Sequence, residues 1–221
     1  MLVTFAALLA LSFSPMICID PGHPSEVGRG TQGRRITEIG AAWQVGVALK
    51  AKLMQRGYRV VLTKKSIGEL VRNKERALIA NRNHASLAVR LHCDAASGSG
   101  FTVYFPTKQG RAEGARGPSA EVLSRSAQAA KSFHTAMAQA LKGQLRDNGL
   151  KSDTKTHVGS KQGALTGSIF SKVPVLLVEM AVLTNRKDEA FIASTKGKAV
   201  MVEALAKGVD AALNIGQPPQ R

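Results

Sequence analysis

The segment VPVLLVEM, residues 173–180, constrains the fold more than any other part of the chain. It is an apolar run broken only by Glu179 near its end, and such runs are typical of strands buried on both faces of a parallel sheet. Parallel strands need long crossover connections, which are usually helices. The segment therefore predicts an α/β fold if strand-like and helix-like segments alternate along the rest of the chain.

Strand-like and helix-like segments do alternate. The predicted strands are the segments MICID, YRVVLTKK, SLAVRLHCD, GFTVYFP and VPVLLVEM. Apolar residues recur at helical spacing in the predicted helices, which span residues 37–57, 72–84, 119–145 and 198–215. A Gly/Arg-rich loop is predicted over Thr107–Pro118, and no linker divides the chain. We predict a single α/β domain, with helices on both faces of a mostly parallel sheet.

Residue types that bind metals stand where these predicted strands end. The segment ICIDPGH carries Asp20 and His23, and His92 interrupts LAVRLHCDA where an apolar residue is expected. Glu179 follows the apolar run, and Glu38 stands near the start of the first predicted helix. Because α/β folds bind ligands beyond the carboxyl ends of their strands, we expect these side chains to converge at one edge of the sheet.

Two histidines and one carboxylate form a recurrent set of catalytic zinc ligands, which leaves one position open for water. A second carboxylate that does not bind the metal can act as a base on that water. Glu179 suits this role, because a buried carboxylate is costly unless it has a partner. Asp20 can orient the loop or an imidazole ring from behind the ligands.

The residues alone leave the identity of the carboxylate ligand open. His23 and Glu26 have the H-x-x-E spacing that zinc carboxypeptidases use for two ligands, so Glu26 competes with Glu38. Cys93 is disfavoured as a ligand, because successive strand residues point to opposite faces and His92 would take the metal face.

The charge of the chain bears on its partners. The formal net charge is +16, which favours a polyanion such as nucleic acid, anionic lipid or an acidic polymer of the cell envelope. Aromatic residues make up 5% and no nucleic-acid-binding motif is present, so we expect no nucleic-acid partner.

The amino-terminal segment MLVTFAALLALSFSPM contains an apolar run that is shorter than the roughly 20 residues of a membrane span. We expect no transmembrane segment and interpret residues 1–15 as an export leader, although no Lys or Arg precedes the run. An additional buried element is the alternative interpretation.

Taken in order, the motifs resemble those of the zinc-dependent N-acetylmuramoyl-L-alanine amidases. The matching segments are ICIDPGH, GYRVVLTKK, the stretch from Arg76 to Asn81, VRLHCDA, GFTVYFP and VPVLLVEMAVLTN. The resemblance extends from Ile17 to about Leu213 and implies a six-stranded sheet. It also implies one zinc ion per chain, bound by His23, Glu38 and His92, with Glu179 as the catalytic glutamate. The interval of fifteen residues between His23 and Glu38 is the family's and favours Glu38 over Glu26.

The resemblance implies a hydrolase that cuts the amide bond between N-acetylmuramic acid and L-alanine in peptidoglycan or its muropeptide fragments. The catalytic domain would span residues 16–215, with a tail at 216–221, in a monomer exported to the bacterial cell envelope. Arg29, Arg34 and Arg35 lie between two predicted ligands and are the first candidates for substrate binding. The competing functions are another zinc peptidase of the envelope, similar to a carboxypeptidase, and a non-catalytic envelope-binding protein.

Overall fold

The structure is a computed structural model that describes residues 14–213. The predicted tail, and all of the predicted leader except its last two residues, lie outside the described residues. The strands are β1 (Met16–Pro21), β2 (Arg59–Leu62), β3 (Leu87–Asp94), β4 (Phe101–Phe105), β5 (Gly110–Ala112), β6 (Ala115–Gly117), β7 (Asp147–Ser152) and β8 (Val175–Val182). The helices are α1 (Glu38–Gln55), α2 (Asn73–Arg82), α3 (Ala120–Leu141), α4 (His157–Gln162), α5 (Thr166–Ile169), α6 (Arg186–Ala193) and α7 (Thr195–Leu213). Among the described helices, none is both long and apolar enough to cross a membrane.

Six strands form the main sheet, in the order β2-β1-β3-β8-β4-β7. The first four run parallel to one another, whereas β4 is antiparallel to β8 and β7 is parallel to β4. The prediction of an α/β fold with a mostly parallel six-stranded sheet is confirmed. The segment VPVLLVEM supplies β8, which lies between β3 and β4 in the interior of the sheet.

The two faces of the sheet pack against different helices. Ile17 and Ile19 of β1 belong to a large buried cluster that also contains Phe133 of α3 and residues of α1 and α7. Cys18, between them, belongs to a second cluster with Ala80 of α2. Because side chains alternate along a strand, this division places helices on both faces of the sheet, as predicted.

The segment that the sequence predicts as a loop, Thr107–Pro118, contains a two-stranded hairpin of β5 and β6. The turn between them consists of Glu113 and Gly114, both with positive φ, as in the tight turns that join hairpin strands. The carboxylate of Glu113 lies 3.0 Å from Nζ of Lys74 at the start of α2. The hairpin therefore contacts α2 through this ion pair.

Candidate metal centre

Three of the side chains that the sequence singles out meet at the carboxyl-terminal edge of the parallel strands. Nδ1 of His92 lies 2.8 Å from Oε1 of Glu38, and Nε2 of His23 lies 3.4 Å from the same oxygen. The two imidazole rings are 5.1 Å apart and nearly perpendicular. Within residues 14–213 this is the one group of three such side chains whose candidate ligand atoms all lie within 4.8 Å of one another.

The turn after β1 presents His23 to this group. Nδ1 of His23 lies 3.0 Å from the carbonyl oxygen of Gly28 and donates to it when protonated, which leaves Nε2 directed towards Glu38. Gly22, just before the histidine, packs against the ring of His92. A Cβ atom at position 22 would lie 2.6 Å from Cε1 of that ring, so no larger residue fits.

Glu38 is positioned by the start of α1. The hydroxyl of Thr37 caps the helix by accepting the N–H of Gly40, which fixes the first turn. Oε2 of Glu38 accepts the N–H of Thr31 at 2.7 Å. Burial disfavours the charged carboxylate, but hydrogen bonds and charge from both histidines hold the pKa of Glu38 well below its usual range. Glu38 is thus an ionised acceptor at the centre of the group.

Glu179 lies beside His92, because the two residues are register partners on neighbouring strands β8 and β3. Burial, with the carboxylates of Glu38 and Asp94 nearby, raises the pKa of Glu179 well above its usual range, while Arg90 opposes the shift. Its Oε2 is buried and has no hydrogen-bond partner among the described residues. A carboxyl group in this setting can hold a proton and release it beside the three candidate ligands.

Asp20 supports the loop and touches neither imidazole ring. Its carboxylate is buried and accepts from Nη1 of Arg76 at 2.6 Å and from Nε of Arg90 at 2.9 Å. Arg76 also donates to the carbonyl oxygens of Pro21 and Pro24, on either side of His23. Of the two roles considered for Asp20, its contacts correspond to orienting the loop.

The other carboxylate that spacing suggested lies away from the three side chains. Glu26 is exposed, and its Oε2 accepts the N–H of Asn73 at 2.9 Å. Cys93 is buried in the large core cluster, on the opposite face from His92. Neither residue belongs to the group that could hold a metal.

The three candidate substrate-binding arginines, Arg29, Arg34 and Arg35, are all exposed. They lie on the loop that joins His23 to Glu38. The main chain of Arg35 is fixed, because its N–H donates to Oε1 of Glu189 at 2.5 Å.

Two residues that contact this loop were not singled out from the sequence. Lys64 is almost fully buried and donates to the carbonyl oxygen of His23, and burial lowers its pKa to about 8. Glu189 on α6 is buried as well. A lysine after a strand and an acid in a helix are ordinary surface residues, so no sequence signal distinguishes them.

The donor set fits a zinc ion. Two imidazoles and one carboxylate match catalytic zinc sites, whereas magnesium and calcium prefer oxygen ligands alone. Nε2 of His92 and Oε2 of Glu179 are buried atoms without a partner among the described residues. Buried polar atoms are nearly always hydrogen-bonded, so this pair indicates a site completed by a metal ion and a polar ligand.

The chain is similar in sequence and in fold to several known proteins. The sequence model of a family described as N-acetylmuramoyl-L-alanine amidase matches residues 17–211. An N-acetylmuramoyl-L-alanine amidase of Mycobacterium tuberculosis is 27% identical, over 88% of this chain and 84% of its own length. Among solved structures, the amidase Ami1 of Mycobacterium smegmatis has a TM-score of 0.75 at 21% identity, covering 91% of this chain and 97% of that one. The amidase AmiC2 of Nostoc punctiforme has a TM-score of 0.72 at 22% identity, covering 90% and 97%. At these identities the solved structures show a shared fold.

Proposed function

The chain belongs to the N-acetylmuramoyl-L-alanine amidase family, and from this premise we propose that it is a zinc-dependent amidase of the bacterial cell envelope. It hydrolyses the amide bond between N-acetylmuramic acid and the L-alanine of the stem peptide. The observation that carries the proposal is the convergence of His23, Glu38 and His92 beside Glu179, whose buried Oε2 has no partner among the described residues.

His23, Glu38 and His92 hold one zinc ion in this proposal. When bound, zinc supplies a Lewis acid that polarises the scissile carbonyl and lowers the pKa of a water molecule. Glu38 contributes a negative charge, and its hydrogen bond to Thr31 keeps the carboxylate in place. The contact between Nδ1 of His23 and the carbonyl of Gly28 fixes the tautomer that leaves Nε2 free.

Glu179 moves the proton. Its Oε2 takes a proton from the water that attacks the carbonyl carbon, and then passes it to the nitrogen of L-alanine as the C–N bond breaks. The raised pKa of Glu179 suits this role, because a carboxylate with a higher pKa takes up the proton of the water more readily and keeps it for transfer to the leaving nitrogen. Asp94, half-buried nearby, adds to this effect through its negative charge.

The basic surface suits an acidic substrate. Stem peptides carry carboxylates, and the exposed Arg29, Arg34 and Arg35 stand on the loop between two metal ligands. We propose that they bind these carboxylates, in peptidoglycan or in its soluble muropeptides. Export by a leader at residues 1–15, and a catalytic domain over residues 16–215 acting as a monomer, are parts of the same proposal.

The carboxypeptidase-like alternative needs Glu26 as a ligand. The side chain of Glu26 is instead exposed and bound to Asn73, at 2.9 Å from its N–H. A non-catalytic envelope-binding protein would need no base, yet Glu179 places its Oε2 in a buried position without a partner among the described residues, which is costly. The position of Glu26 and the burial of Oε2 in Glu179 therefore both favour the amidase.

The products of digestion test the proposed bond. Purified protein incubated with peptidoglycan should release peptides with new L-alanine amino termini, and a chelator should abolish the release because the metal is required. New carboxyl termini from within the stem peptide, without L-alanine amino termini, would instead identify a carboxypeptidase. Absence of any cleavage with zinc supplied would favour the non-catalytic alternative.

Attachment to the cell wall is expected to be electrostatic, because the net charge of +16 is the evident means of targeting. The fraction of protein that pellets with purified sacculi should fall sharply between low and high salt, since screening shortens the reach of exposed charges to about 8 Å at 0.15 M. Retention that does not change with salt would indicate a specific wall-binding site instead.

A further inference from the structure

The loop that joins two of the metal-ligand candidates has almost no core of its own. We call residues 24–37 the ligand loop, and only Pro24 and Ser25 in it are buried. Residues 26–30 are all exposed. Ile36, which is only partly buried, packs against the large core cluster, and the ligands His23 and Glu38 stand at the two ends of the loop. Most of the segment therefore has to be held by polar contacts to its main chain.

Lys64 lies under the first end of the ligand loop. Its ammonium group donates to the carbonyl oxygens of His23 and Ile67, the latter at 2.9 Å. The side chain is fully enclosed, with the residue 2% exposed, and Nζ lies 5.6 Å from the centre of the Trp43 ring. Among residues 14–213, no carboxylate lies within ion-pair distance of it.

A buried ammonium without a carboxylate partner is costly, so Lys64 is a poor choice for stability alone. His23 has a φ of 50°, in the left-handed region that residues other than glycine rarely adopt. Such a conformation persists when the surrounding structure holds it. Because Lys64 binds the carbonyl of this residue, it fixes the direction in which the chain leaves His23.

Glu189 holds the other end of the ligand loop. It is 3% exposed on α6, and its Oε1 accepts the N–H of Arg35 at 2.5 Å. Backbone hydrogen bonds from Arg35, Arg34 and Ile36 hold the pKa of Glu189 below its usual range. These contacts fix the main chain just before Glu38 while the arginine side chains remain exposed.

We propose that Lys64 and Glu189 are positioning residues of the metal centre, which hold the main chain at the two ends of the ligand loop and so set the affinity for zinc. The inference rests on the zinc centre of the proposed function. The hydrogen bonds of both residues join them to main-chain atoms, so they act through His23 and Glu38 and touch neither metal nor substrate. Loss of Lys64 or Glu189 should weaken zinc binding more than it weakens the metal-free protein, whereas loss of a residue that only stabilises the fold should weaken the metal-free protein alone.

The variants Lys64→Met and Glu189→Gln test this, with Asp188→Asn as a matched control. Asp188 is the next residue on α6 and is also buried, but its carboxylate accepts the N–H groups of Gly100 and Val182, outside the ligand loop. For each protein, the zinc dissociation constant is measured by competition with a chromophoric chelator. The Tm of the metal-free protein is measured alongside it.

We expect the zinc dissociation constant to rise at least about tenfold in Lys64→Met and in Glu189→Gln, as for other residues that orient metal ligands. In Asp188→Asn the zinc dissociation constant should stay within about threefold of that of the original chain. This should hold even if the Tm of the metal-free Asp188→Asn variant falls as far as that of Lys64→Met or Glu189→Gln. Unchanged zinc affinity in the folded Glu189→Gln variant would overturn the inference even if Lys64→Met failed to fold. A wild-type chain that binds no zinc would overturn the proposed function as well, so the two failures are distinguishable.

Discussion

Replacing Glu179 by glutamine is expected to lower the turnover of peptidoglycan at least about a hundredfold, because general acid–base catalysis typically contributes 10²–10⁴-fold. The amide keeps the size of the side chain but cannot take the proton of the attacking water. Zinc content should not change, because Glu179 stands outside the group His23, Glu38 and His92. Removing a buried carboxyl group without a partner at Oε2 should also leave the Tm equal or higher.

Glu26→Gln is the control for this variant. Glu26 is a carboxylate on the same loop as the candidate ligands but is exposed, so its variant should retain turnover close to that of the original chain. A Glu179→Gln variant that loses zinc would make Glu179 a ligand rather than a base. One that keeps near-normal turnover would remove Glu179 from the mechanism, and Glu26 would then be the carboxylate to examine.

The sequence predicts those strands of the sheet that are apolar and have to be buried. The strands β1, β3 and β8 are predicted from segments that are mainly apolar, and each is mostly buried in the structure. The edge strand β7 was not predicted, because its sequence DNGLKS is polar and gains its place from pairing with β4. The strands β4 and β7 run antiparallel to the other four strands of the sheet. The composition of a strand does not indicate its direction, so this feature could not be predicted either.

In the candidate site, too, the sequence predicts some of the residues and not others. His92 and Glu179 stand out in sequence, because a histidine and a glutamate interrupt apolar strands and must be explained. Spacing could not choose between Glu26 and Glu38 without the family resemblance, since both follow His23, Glu26 in a loop and Glu38 near the start of the first predicted helix. In the structure Glu38 is buried at the start of α1, beside the helix cap at Thr37, whereas Glu26 is exposed.

Lys64 and Glu189, the proposed positioning residues, could not be predicted from the sequence. Lys64 follows a strand in the segment YRVVLTKK, where a lysine normally marks the surface. Its burial arises because the turn after β1 and the segment around Ile67 close over it. Glu189 is buried for the same reason, because residues 34–36 of the ligand loop fold onto α6. Such burial is a property of chain segments that meet only in the folded protein.

The variant His92→Ala removes one of the three candidate ligands and is expected to raise the zinc dissociation constant at least about a hundredfold. Loss of a residue that only orients a ligand already costs 10–100-fold, and loss of the ligand itself should cost no less. His134→Ala is the matched control, because that imidazole lies on α3 and pairs with Asp147 at 2.8 Å, outside the metal group. Its zinc affinity should equal that of the original chain.

The metal content of the purified chain, measured beside that of His92→Ala and His134→Ala, tests the zinc centre most directly. The arrangement of His23, Glu38 and His92 predicts about one zinc per chain in the original protein and in His134→Ala. It predicts almost none in His92→Ala. Full stoichiometric zinc in His92→Ala, or zinc lost equally from both variants, would contradict the assignment of these three ligands.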